Sequence, residues 1–567
     1  MISSRILPLA LLLSIAIFNV SARAQNTKND EATAALREKA YALLESVAGQ
    51  IGTLQSAENR ARIGANVADA LWTRDEKLAR SVLLQVEADI TSELQKPVPR
   101  SPDDTAHHVL LKLRADTVER LAKHDPEAAL TFLKATEIRS EDRQKYAPFD
   151  TEVIEMQLAQ KLVAEHPEAA VKLAVENLDK GLHGELFRLL RRLNKKDRDS
   201  AQVLYSAIVK KLEPAELNDW DTRVFVAHLT QFFRPPAADA ATYRELVSGL
   251  VARALNNGCA GKLAEYDERR SYCAWLVNEI PELEKFDSRA ARLKHWDTGP
   301  NKNYESATVF FDLGEVMLEG TTEELLAVAA KNPEYAEPLY WNLIGRAQEA
   351  GDFDQVRKLA NTYVTDPEAR KSLLDQLNQF EKKMSPAPLS SEKMEEELNQ
   401  LPIEQRGMFL ISAASRAGSS DQKLALKLLD RANDLIDTMK PNKEQTAAQI
   451  NLAVTYCFAK NERCLGLMES LVPRLNALVD VAARLDGYDT NYLRDGEWNM
   501  SANGAVGELL TRLSNNAAPF AWYDFDRAVS VAGRFDRQEI RMMAHVKLAQ
   551  GILAGRPKRQ PLAYTGF

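Results

Sequence analysis

Apolar and polar positions alternate in a recurring unit along most of the chain. "ADTVERLAKHDPEAALTFLKA" from Ala115, "MQLAQKLVAEHPEAAVKLAVE" from Met156 and "LISAASRAGSSDQKLALKLLDRA" from Leu410 each begin with an apolar segment. Similar units start at Ala65, Leu186, Trp341 and Asn451. The apolar residues recur at i, i+3, i+4 and i+7, the spacing of an amphipathic helix. A short polar break follows, and a second amphipathic segment carries a small residue early: Ala79, Ala129, Ala170, Ala201, Ala425 or Gly466. Pro126 and Pro167 suit the first turn of that second helix, where the missing N–H would be unpaired anyway. Asp125 suits the cap, and Glu127 and Glu168 face the positive helix end. The unit is therefore helix, tight turn, antiparallel helix, with the small residue allowing close approach. Such hairpins cannot bury their apolar faces alone and must stack on neighbours. The predicted fold is all-α, with stacked antiparallel helix hairpins forming an α-solenoid or superhelical array; an irregular all-α bundle is the alternative.

The Ala79, Ala129, Ala170 and Ala201 anchors lie 50, 41 and 31 residues apart, so the repeat is degenerate. The pattern resembles the tetratricopeptide-like and HEAT-like α-helical repeat class. "WNLIGRAQEAGDFDQVRKLA" is the piece most similar to a tetratricopeptide unit, through Trp341, Leu343, Gly345, the Gly351-Asp352 turn and Ala360. Turn-rich stretches at Trp296–Ser306 and Lys382–Glu392 divide the chain into helical-repeat regions at 25–298, 299–388 and 389–554. "DGYDTNYLRDGEW" near Tyr488 is expected to be a polar, aromatic loop.

The start of the chain adds a compartment. Arg5, the apolar run Ile6–Phe18 and Ala22-Arg23-Ala24 before Gln25 have the pattern of a secretory signal peptide over residues 1–24, cleaved between Ala24 and Gln25. The run is shorter than the ~20 residues of a membrane span, and no later segment is comparably apolar. The style of the signal is bacterial. The mature chain is expected to be periplasmic or secreted, without a membrane span. Cleavage removes Arg5 and Arg23 and no acid, which takes the net charge from −8 to −10. That balance argues against a nucleic-acid surface. The basic tail, residues 555–567, is expected to be a frayed terminus.

Export bears on the four cysteines, because disulfides persist in oxidising compartments. On one continuous helix Cys457 and Cys464 would stand ~10.5 Å apart, beyond the roughly 4.4–6.8 Å between Cα atoms that a disulfide spans. With "AKNE" as a turn, the helix ends meet. Two local disulfides are predicted, Cys457–Cys464 and Cys259–Cys273. Neither spacing is C-x-x-C, and no third and fourth ligand for a metal is near.

Chemistry is otherwise sparse in the sequence. None of His107, His108, His124, His166, His183, His228, His295 or His545 belongs to a zincin helix. His124 and His166 are expected at helix C-termini, favoured by the dipole. No nucleophile elbow and no phosphate loop is present. "DGYDTNYLRDGEW" fails as a calcium loop because Leu493 stands where an oxygen is needed. The aromatic cluster "PFAWYDFDRA", Pro519–Ala528, is expected to fill a helix–helix interface rather than line a ligand groove. "LGLMESLVP", Leu465–Pro473, resembles the "GLMQ" segment of lysozyme-like lytic transglycosylases, some of which are exported with an α-superhelical domain. In that family a glutamate in an "ES" pair precedes the segment by about two dozen residues and acts as general acid, then base. The resemblance would give that role to Glu444, but Glu444 stands in "NKEQT" without the pair. The helical-repeat pattern already accounts for the apolar letters of the segment. No catalytic, cofactor-binding or metal-ligating residue is assigned. The sequence points to a protein-binding or scaffolding module of the cell envelope that takes a protein or peptide ligand; an envelope glycan-acting enzyme is the alternative.

Overall fold

The computed structural model describes residues 31–557, apart from 97–104, most of 140–150, 214–224, most of 227–237, most of 257–282, 296–315, 385–390 and scattered positions elsewhere. The signal-peptide segment with Ala24 and Gln25 lies outside the described residues, as do His183, His228 and most of the basic tail. The chain is all-α, built of antiparallel helix hairpins, with one short β-hairpin among the described residues.

Two compact units divide the chain, and one of them is discontinuous. Unit 1 takes the chain up to Arg120 together with Pro386 onward; unit 2 is Leu121–Ser385. The regions drawn from sequence each ran contiguously, so they do not describe unit 1.

The N-terminal helices are α1 (31–48), α2 (Ala57–Leu71), α3 (Glu76–Leu94) and α4 (Thr105–Ala122). Unit 2 continues with α5 (Pro126–Ala135), α6 (Thr151–Leu162), α7 (Pro167–Leu178), α8 (Gly184–Lys196), α9 (Arg198–Leu212) and α10 (Ala240–Asn256). After further chain come α11 (Thr322–Lys331), α12 (Ala336–Ala350), α13 (Phe353–Tyr363) and α14 (Pro367–Met384). Helices here pack on the next, on the next but one, or on both: α6 on α7 and α8, α7 and α8 on α9, α12 on α13 and α14. That is the packing of stacked hairpins. Leu186, Leu190, Leu204 and Ile208 form one buried layer; Leu325, Leu339, Leu343, Leu373 and Leu377 form another.

Unit 1 resumes with α15 (Ser391–Gln400), α16 (Ile403–Ala417), α17 (Gln422–Asp437), α18 (Lys443–Phe458) and α19 (Arg463–Arg484). The hairpin β1 (Leu493–Arg494) and β2 (Glu497–Trp498) precedes α20 (Ala505–Asn515), α21 (Ala517–Tyr523), α22 (Phe525–Ala532) and α23 (Gln538–Leu553). The α16–α19 stack repeats the unit 2 pattern, and α23 packs against α21 and against α2 from the start of the chain.

One local device punctuates the hairpins. An aspartate caps the second helix by accepting from the N–H three residues on: Asp75 from Leu78 at 2.9 Å, Asp125 from Ala128 at 2.9 Å, Asp197 from Ser200 at 3.2 Å and Asp421 from Leu424 at 2.9 Å. Its own N–H closes the first helix onto the carbonyl four residues back, as Asp75 does on Leu71 at 2.8 Å. Four residues after each cap stands the small residue, and Ala79, Ala129, Ala201 and Ala425 are completely buried. So the cap sets the turn and the alanine sets the approach. His166 takes the cap position before Ala170 but makes no side-chain cap bond. Its N–H closes α6 on the Leu162 carbonyl at 2.7 Å, so it stands at the C-terminal end expected of it and at the start of α7 as well. Gly466 is the other exception: a Cβ there would meet nothing within 4 Å, so no close approach requires it.

The tetratricopeptide-like letters split in the same way. Leu343 and Ala360 are completely buried and Asp352 caps α13. Trp341, however, is 47% exposed and lies edge-on to Phe380 with ring centroids 5.4 Å apart. A Cβ on Gly345 would enter open space. The hairpin belongs to the general helical-repeat class; Trp341 sits half-exposed against Phe380 rather than in the core, and no close approach requires Gly345.

Candidate functional site

The predicted polar loop after α19 folds as a hairpin that ties the two ends of unit 1 together. Asp495 and Gly496 both have positive φ, +52° and +80°, which is the two-residue turn that Asp-Gly favours. Leu493 pairs with Trp498 and Arg494 with Glu497. This turn presents Glu497 to the N-terminus of α2, where its carboxylate accepts from the N–H of Gln55 at 2.7 Å and of Ser56 at 3.2 Å, and from Asn59 Nδ2 at 3.1 Å. An anion at that end of the helix is electrostatically favoured. Trp498, 2% exposed, donates its N–H to the buried Glu539 at 2.6 Å and accepts from Asn59 Nδ2 at 3.0 Å.

Beneath the hairpin lies a buried ionic cluster. Glu58 is held by Arg62 at 2.7 Å, by Ser501 Oγ at 2.9 Å and by Arg494, which also reaches Glu93 at 3.0 Å. Burial alone would raise the Glu58 carboxyl; Arg62, Arg494 and Ser501 outweigh it and hold the group below the usual glutamate value.

Next to that cluster is a cavity of about 220 Å³. Met468 and Val472 of α19, Phe520 of α21, Val531 of α22, Phe535, and Met543 of α23 form much of its apolar wall. Arg62 and Lys547 supply its cationic groups. Lys547 is held by amide oxygens, Asn66 Oδ1 at 3.3 Å and Gln550 Oε1 at 3.1 Å. Burial, with Arg120 and Arg62 nearby, puts it below the usual lysine range against the opposing pull of Asp69. The cluster Pro519–Ala528 therefore does both jobs. Phe520 and Ala528 line the cavity, while Trp522 Nε1 donates to the Gly551 carbonyl at 2.9 Å across the α21–α23 contact. Sequence alone favoured an interface over a ligand groove; its helical spacing did not show that the interface borders a cavity.

A second feature stands on α19. Pro473, Ala477, Val481 and Leu485 follow one another at intervals of four, and Tyr488 extends the row. All are exposed, Val481 by 55%, Leu485 by 47% and Tyr488 by 87%. From Pro473 to Leu485 the row is about 18 Å long on the helix.

The cysteines come together as two pairs at disulfide distance, with Cα atoms 4.9 Å apart for Cys457 and Cys464 and 5.4 Å for Cys259 and Cys273. The first pair flanks a turn on "AKNE". Lys460 adopts φ +54° while its N–H bonds to Cys457 O and that of Asn461 to Tyr456 O, both at 3.0 Å. This is a helix C-cap with a left-handed residue, here a lysine in place of the usual glycine. His107 is buried and its neighbour His108 exposed, so the two do not share a face. Burial lowers the His545 pKa, partly offset by its contact with Val529 O at 3.3 Å. Among the described residues no three His, Cys, Asp or Glu side chains converge as metal ligands. Glu444 is exposed in the first turn of α18, and "LGLMESLVP" lies within α19, where Glu469 pairs with Arg527 at 2.9 Å. Among the described residues no helix is long and apolar enough to cross a membrane.

No protein-family model matches the chain, and no curated protein matches it in sequence. Among solved structures, a circular tandem repeat protein with novel repeat topology and enhanced subunit contact surfaces aligns over 92% of this chain and 96% of its own, at 13% identity and a TM-score of 0.17.

Proposed function

We propose that the mature chain is an exported helical-repeat protein of the bacterial cell envelope, periplasmic or secreted, that holds a protein or peptide ligand and performs no catalysis. The observation that carries this reading is the exposed row Pro473–Ala477–Val481 on α19, continued by Leu485 at its C-cap and Tyr488 just beyond. An uncharged ridge at i, i+4 spacing is the form that packs into the groove of another amphipathic helix. The ligand segment is accordingly an amphipathic helix. The compartment is supported by the N-terminal signal pattern and by two cysteine pairs at disulfide distance, which a reducing cytosol would keep open.

The test places a photo-crosslinking side chain at Tyr488 of the full chain in its own cell. One defined envelope protein should be captured, and Val481→Asp with Leu485→Asp should weaken its binding at least about tenfold. Crosslinks only to further copies of this chain, or turnover of envelope glycan that Glu444→Gln abolishes, would overturn the reading.

A further inference from the structure

We infer that the cavity among α19–α23 is a binding site for a small monocarboxylate amphiphile, its apolar body among Met468, Phe520, Phe535 and Met543 and its carboxylate against Lys547 and Arg62.

Size sets the body. An apolar cavity of about 150 Å³ stays dry and binds benzene. This one, at about 220 Å³, takes an acyl chain or ring of roughly eight carbons. Three methionines, Met468, Met500 and Met543, line it, and such side chains adapt to irregular apolar ligands.

Charge sets the head. No aspartate or glutamate lines the cavity, yet two cations do. Arg62 spends its Nη2 on Glu58 and Ser501, while its Nε is buried with no hydrogen-bond partner. Lys547 meets only neutral amide oxygens, and the nearby Asp69 is taken by Arg120 at 3.1 Å. A guanidinium with N–H donors to spare and an ammonium that hydrogen-bonds only neutral oxygens match the carboxylate of such an amphiphile. Burial holds Lys547 below its ordinary pKa, a cost that an anion in the cavity would relieve. The site does not rest on the α19 ridge: Met468 and Val472 line the cavity, whereas Pro473, Ala477, Val481 and Leu485 are exposed.

Calorimetric titration of the mature chain with octanoate, octanol and acetate tests this. Octanoate should bind one to one, octanol at least tenfold more weakly, and acetate undetectably at the same concentrations. Lys547→Gln keeps a neutral polar side chain at that position and should bring octanoate down to the octanol level while leaving octanol unchanged. Ala528→Phe, which fills the cavity, should abolish both. If circular dichroism shows Ala528→Phe unfolded, Lys547→Gln decides. Octanol binding as tightly as octanoate, unchanged octanoate affinity in Lys547→Gln, or no octanoate binding to the unsubstituted chain each overturns the assignment.

Discussion

Glu58 illustrates what a single side chain carries in unit 1. It is 2% exposed and shared by Arg62, Arg494 and Ser501, so its charge is welcome only while all three are in place. Its folded carboxyl titrates below the ordinary value of 4.5. The associated stability is therefore present above about pH 4.5 and is lost as pH falls through the folded value. Acid titration followed by circular dichroism should show unit 1 loosening below that point. Glu58→Gln should cost about 1–3 kcal/mol at neutral pH, since it removes the carboxylate that the half-buried Arg62 and Arg494 share, leaving Arg494 with Glu93 alone, and should flatten the acid limb. The Cys457–Cys464 pair makes a separate prediction. Unreduced mature protein should show no free thiol by mass spectrometry, and Cys457→Ser should lower stability by roughly 2.5 kcal/mol in the loop-entropy account. Two free thiol pairs would refute the disulfides. Sequence reached the cysteines through the turn between them; it could not reach Glu58, because one acid among many on helical segments carries no local mark of burial.

At the scale of elements, the hairpins were legible because their signal is local. Asp75, Asp125, Asp197 and Asp421 cap helices, and the alanine four residues on packs in the interface; both facts follow from neighbours in sequence. The β-hairpin was missed although Asp495-Gly496 is a strong turn signal, since strands of two residues are too short to show alternation. His166 was expected only at the end of a helix, but a turn residue is both the end of one helix and the cap of the next. Close approach between distant helices was equally invisible. A Cβ on Gly551 would stand 2.7 Å from Ala518 Cα, which joins α23 to α21 beside the cavity. Gly551→Ala should therefore destabilise the protein by about 1–3 kcal/mol despite its better helix propensity. Thermal denaturation checks it, and an unchanged or raised midpoint would contradict the packing.

Unit 1 is held together by contacts between the two ends of the chain that no window of sequence contains. Unit 1 draws α2 and α3 from one end of the chain and α16–α23 from the other, through Glu497 on α2, Arg494 on Glu58 and Glu93, and Gln550 on Asn66 at 3.2 Å. A chain nicked by limited proteolysis inside unit 2 should consequently keep its N- and C-terminal fragments together in non-denaturing size exclusion under reducing conditions. Fragments that separate on the column would show that the closure is too weak to matter. The amino-acid sequence by itself determined the all-α class, the hairpin unit, its aspartate and alanine punctuation and the turn between Cys457 and Cys464. Each depends on interactions within some ten residues. Only the tertiary structure decided which hairpins meet, that residues more than 400 positions apart share one ionic cluster, and that α19–α23 border a cavity with two cations at its wall. Those outcomes depend on how apolar faces of similar composition pair in space. Helical spacing marks each face as buried without naming the partner that buries it.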